Sequence, residues 1–79
     1  MRNKTKILKM AQEVNNFEKD LNKEEVQALY ELIKKSDNKE TNKDYEELMI
    51  QAKNAEDVYD KLHYINMALG RVGIHVFQL

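Results

Sequence analysis

The chain has no cysteine, no proline and no tryptophan, and only two glycines, Gly70 and Gly73, in 79 residues. Without thiols there is no disulfide staple, no thiolate zinc site and no cysteine nucleophile, and a reducing cytosol is the natural setting. Without proline, nothing forces a backbone break ahead of Gly70, so boundaries must come from caps and polar clusters. No apolar run approaches the roughly 18 residues of a membrane span. A basic start, Arg2, Lys4 and Lys6, is followed by Lys9, Gln12 and Glu13, which interrupt any signal-peptide core before it reaches about 7 residues. The expectation is a cytoplasmic protein, with the inner face of the membrane as a second location.

Catalytic vocabulary is equally sparse. The hydroxyls outside the tyrosines are Thr5, Ser36 and Thr41, all placed for caps or loops. There is no glycine-rich phosphate loop and no HExxH helix. One ligand-like spacing exists: Glu56, Asp60 and His63, at i, i+4 and i+7, would gather carboxylates and an imidazole on one helical face. That face is the solvent side, and acids near a helix start are expected from the dipole alone. A metal-assisted hydrolase is therefore the weakest of three readings, and the sequence predicts no enzyme, no metal and no cofactor. His75 reads as a partly exposed residue of the tail.

Formal net charge is −1, unevenly spread. Arg2, Lys4, Lys6 and Lys9 precede every acid, the acids lie between Glu13 and Asp60, and Lys61 and Arg71 follow. The basic N-terminal end makes peripheral contact with anionic lipid one candidate role, beside the simpler reading of a solvated first turn. A nucleic-acid reader would need a basic stripe, whereas Glu24, Glu25 and Glu31 line the second helix; no nucleic-acid partner is expected.

What is present is helical periodicity in a single domain covering residues 1–79. Ile7, Ala11, Val14, Phe17 and Leu21 predict a first helix over about residues 5–20. Asn22 followed by Glu25 is a capping-box signature opening a second helix, 23–35, with Val26, Leu29, Tyr30 and Ile33 on one face. The turn between them is short enough for an antiparallel hairpin. The polar run from Ser36 to Lys43 reads as a mobile loop, and Thr41 with Asp44 suggests the next start. Tyr45, Leu48, Met49 and Ala52 then form a third stripe over 43–53. The third and fourth helices could be one rod, but a break near Asn54 keeps their stripes in register, and the fourth helix is placed at 55–69.

That fourth helix organises the rest. At about 100° per residue, Leu62, Ile65 and Leu69 fall within about 40° of Val58, a narrow core stripe. Asn54 is the expected cap, with Glu56, Asp57 and Asp60 at the positive end of the dipole. Gly70 is the expected stop, with Arg71 at the negative end. Tyr64 and Met67 lie roughly 120° and 180° off the stripe, so something should cover them. Val72, Ile74, Val76, Phe77 and Leu79 make the tail (residues 70–79) the most apolar stretch, and it is expected to fold back. The predicted fold is all-α: an antiparallel four-helix bundle with an apolar C-terminal tail folded onto the last helix.

The close of the fourth helix, ALGRVGIHVFQL from Ala68 to Leu79, resembles the immunity proteins of pediocin-like (class IIa) bacteriocins, the enterocin A immunity family. Leu69, Gly70, Arg71, Gly73 and Ile74 carry the likeness, with one residue fewer between Arg71 and Gly73 than the family pattern. Elsewhere the likeness is one of layout. The resemblance implies an antiparallel four-helix bundle in the cytosol of a Gram-positive bacterium. It also implies protection against a pediocin-like peptide, exerted on mannose phosphotransferase membrane components with bound bacteriocin. The family's specificity lies in its C-terminal half, which points here to His63, Tyr64, Met67, Arg71, Ile74, Val76 and Phe77 as the partner-binding residues. The composition also fits a small helical adaptor or antitoxin that binds a cytosolic protein.

Overall fold

The computed structural model describes residues 3–15, 21–36 and 43–76. Four helices follow in order: α1 Lys4–Val14, α2 Lys23–Lys35, α3 Lys43–Asn54 and α4 Val58–Arg71. The described residues contain no strand, and the radius of gyration, 11.4 Å, is close to the roughly 11.6 Å expected of a compact domain this long. This is the all-α four-helix arrangement that the periodicity predicts.

The first two helices form a hairpin. Asn3, ahead of α1, donates from Nδ2 to Ser36 Oγ at the end of α2 (3.4 Å). Met10, Glu13 and Val14 of α1 share a groove with Glu25 and Ala28 at the start of α2. Start meets end at both places, so the pair is antiparallel. Helix α1 is shorter than expected and closes at Asn15, whose N–H donates to the Ala11 carbonyl (2.9 Å). Asparagine hydrogen-bonds readily to nearby backbone and competes with helix continuation. Phe17 and the rest of the expected extension lie outside the described residues.

Helix α2 has the predicted bounds. The Asn22 side chain accepts from the N–H of Glu24 (2.8 Å) and of Glu25 (3.4 Å), satisfying donors that the first turn leaves free. Ser36 corrects the reading of a mobile loop from that point. It is fully buried, its Oγ donates to the Leu32 carbonyl (2.8 Å), and its N–H closes the helix on Leu32 and Ile33. Thr41 lies outside the described residues.

Helices α3 and α4 are separate and make the most extensive packing among the described helices. Lys61, near the start of α4, reaches the carbonyl of Ala52 near the end of α3 (3.1 Å). At the opposite end Arg71 shares a groove with Asp44, Glu47, Leu48 and Gln51. This hairpin too is antiparallel. Its cap is not the expected one: Asn54 is the last residue of α3, and Asp57, in extended conformation (φ −83°, ψ 132°), caps α4 by accepting from the Tyr59 N–H (3.4 Å). Asp57 brings a full negative charge to the positive helix end, which an asparagine lacks.

One core joins the four stripes. Ile7, Ala11 and Val14 meet Val26, Leu29, Tyr30 and Ile33, then Tyr45, Leu48, Met49 and Ala52, then Leu62, Ile65, Ala68 and Leu69. Ile74 completes it from beyond α4, and Val72 and Val76 pack against its edge. The tail is thus folded back as far as it is described.

Candidate interaction face on the fourth helix

Helix α4 is ended by Gly73, not by Gly70. Gly70 is helical, while Gly73 takes a left-handed φ of 85°. Around it the Ile74 N–H donates to the Leu69 carbonyl (2.9 Å) and the Gly73 N–H to the Gly70 carbonyl (3.3 Å). These are the two bonds of a Schellman stop, in which the residue after the left-handed glycine makes an apolar contact back to the last turn. Leu69 and Ile74 hold those two positions, and both are buried. The tail therefore folds back because the stop reverses the chain and delivers Ile74 to the core.

This placement divides the predicted contact residues. Ile74 is 2 % exposed and belongs to the core, which corrects its assignment to a contact surface. Val76 is half-buried against the core edge, and Phe77 lies outside the described residues. His63 and Arg71 are exposed, and Met67 is 37 % exposed. The tail, as far as it is described, does not cover Met67. Tyr64 is half-buried against the core, its ring 5.7 Å from that of His63 and tilted by 59°. The structure thus brings His63, Met67 and Arg71 onto one outward face with Tyr64 at its margin.

Three features of the same helix were not anticipated. Tyr59 is 60 % exposed, at the head of the row Tyr59, His63, Met67, Arg71, spaced four residues apart. A Cβ at Gly70 would meet nothing within 4 Å among the described residues, so this glycine is a shallow notch in the outward face. Lys61 is the third: its Nζ lies 4.8 Å from the centroid of the Tyr30 ring and donates to the Ala52 carbonyl, tying α4 to both α2 and α3. Burial lowers its pKa from 10.5, the charge of Lys23 adds to the lowering, and Glu31 opposes it. The i, i+4 ladder was legible from the sequence. The role of Lys61 was not, because its partners lie on two other helices.

Glu56 precedes the cap and is not helical, so Glu56, Asp60 and His63 do not share a helical face. Among the described residues no three His, Asp or Glu side chains are grouped to hold a metal ion. No described helix is long and apolar enough to cross a membrane.

No family model, curated protein or solved structure matches this chain. The functional reading therefore rests on the face itself and on the residues of the helix stop. Asn66, on the flank of that face by helical spacing, has both its amide atoms shut off from solvent with no partner among the described residues.

Proposed function

We propose that this protein is a non-catalytic immunity protein that protects a bacterial cell from a pediocin-like peptide, and that it acts from the cytosolic side on the receptor and pore complex. The observation that carries the reading is the outward face of α4: after contributing Leu62, Ile65, Ala68 and Leu69 to the core, this helix still presents Tyr59 and Met67 to solvent beside His63 and Arg71. Exposed aromatic, thioether and guanidinium groups in one row are the side chains that protein interfaces favour. The four-helix layout and the residues from Leu69 to Ile74 support the family resemblance.

In this proposal the face docks on mannose phosphotransferase membrane components carrying bound bacteriocin. Met67 and Tyr59 supply the desolvated contact, Arg71 a charged anchor, and His63 and Tyr64 the rim. Leu69, Gly73 and Ile74 hold the face in place without touching the partner. The protein is placed in the cytoplasm, reaching the inner membrane face through that partner.

The test is expression in a strain sensitive to pediocin-like peptides. Raised survival against at least one peptide is the expected result, and Met67→Asp or Arg71→Glu should remove it while the helical signal in circular dichroism persists. Unchanged sensitivity across a broad panel rejects the proposal. Recovery of a stoichiometric partner without any bacteriocin present would favour the adaptor or antitoxin reading instead.

A further inference from the structure

The exposed residues of α4 are Tyr59, Asp60, His63, Met67 and Arg71, and their order along the helix is self-complementary. Asp60 and Arg71 lie on one flank of the outward face. Tyr59 and Gly70 lie on the other, and His63 and Met67 lie between them, at about 100° per residue. Each pair is centred close to residue 65. A two-fold axis that sets two copies of α4 antiparallel maps each flank onto the same flank of its neighbour. In a contact of this isologous kind residue i of one copy meets residue j of the other, and the reverse.

We propose that this face is a dimer interface whose occupant is a second copy of the same chain, packed antiparallel along α4. Asp60 of each copy then lies across from Arg71 of the other. Tyr59 lies over the notch at Gly70, and His63 meets Met67 at the centre. Charge complementarity selects this occupant: α4 is acidic at Asp57 and Asp60 and basic at Arg71, so an antiparallel copy puts opposite charges together at both ends. Arg71 shares a groove with Asp44 and Glu47 of its own α3, and the second copy's Asp60 approaches from the outward side.

The contact also gives Gly70 a purpose. Its backbone is helical and its Cβ position is empty, so nothing among the described residues calls for a glycine there, while an approaching tyrosine ring does. The dimer does not depend on the immunity proposal, but it covers the same face. A bound partner and a second copy would therefore exclude one another.

Sedimentation equilibrium of the full chain, at concentrations up to about 1 mM, tests the proposal. A monomer–dimer equilibrium is expected, weakened about tenfold or more by Asp60→Arg or by Arg71→Glu, which place like charges together. The double variant Asp60→Arg with Arg71→Glu should recover it, which no loss of folding would mimic. Tyr59→Ala, at an exposed position, should weaken the dimer and leave thermal unfolding of the monomer unchanged. A protein monomeric throughout the range overturns the inference, as does a dimer that the single charge reversals leave intact. Neither result bears on protection in cells, so the two proposals fail separately.

Discussion

The two glycines, Gly70 and Gly73, do different work, and substitution separates them. Gly73 has φ 85° with open space around it among the described residues, so alanine there meets only backbone strain. Gly73→Ala is expected to cost about 1–2 kcal/mol in urea unfolding. Gly70 is helical and equally open, so Gly70→Ala, measured at dilutions where the chain is monomeric, is expected to stabilise by up to about 1 kcal/mol. Equal effects at the two sites would contradict the Schellman stop. Lys61 gives a pH signature. Burial lowers its pKa below 10.5, so the folded protein releases this proton at a lower pH than the unfolded chain. In the window between the lowered value and 10.5 the unfolded state binds more protons, and stability from this group rises with pH. Urea midpoints of the native chain and of Lys61→Met, compared across that window, should show the rise only in the native chain. Asn66→Leu replaces an amide whose two polar atoms are buried without partners among the described residues. It should raise the urea midpoint by the equivalent of about 1–2 kcal/mol.

At the scale of the helix, caps decide where elements begin. Asn22 and Asp57 both accept from backbone N–H groups of the first turn. Asn22→Ala and Asp57→Ala should each lower stability by about 1 kcal/mol, while Asn54→Ala should stay within about 0.5 kcal/mol. The start of α2 was readable because Asn22 with Glu25 three residues later forms a capping-box pair directly ahead of one stripe. The start of α4 was not, because Asn54 and Asp57 stand three residues apart and both are able caps. Extending α3 to Asn54 lets Lys61 reach the Ala52 carbonyl, a contact between helices that no local pattern encodes. The helix stop carries a parallel lesson for the resemblance. Leu69, Gly73 and Ile74 are residues that any Schellman stop of this kind calls for, so the survival assay tests the immunity proposal more sharply than the motif does.

For the whole molecule, the margin is small. At about 0.05–0.15 kcal/mol per residue, a domain of 79 residues has roughly 4–12 kcal/mol of net stability. Ile74→Ala should remove about 2–4 kcal/mol of it, because the side chain is 2 % exposed in a shared core. A tail that merely rested on the surface would give a change below about 0.5 kcal/mol in the same thermal or urea experiment. The family resemblance points to Ile74 as a contact residue because it is an apolar residue of the C-terminal half. The spacing Leu69, Gly73, Ile74 held the correcting signal, since the left-handed glycine returns the residue after it to the last turn.

By itself the sequence determined that the fold is all-α, the bounds of α2 and most of the core stripe of each helix, because 3.6-residue periodicity and capping are local and need no neighbour to be read. Whether α3 and α4 were one helix or two it left open. It also determined that the last third carries apolar side chains on more than one face. Only the tertiary structure decided which of those are buried: Ile74 in the core, Met67 and Tyr59 left outside, Ser36 sealed under Asn3, and Lys61 held between three helices. Burial depends on which surfaces meet, and that is fixed by the packing of helices distant in the chain.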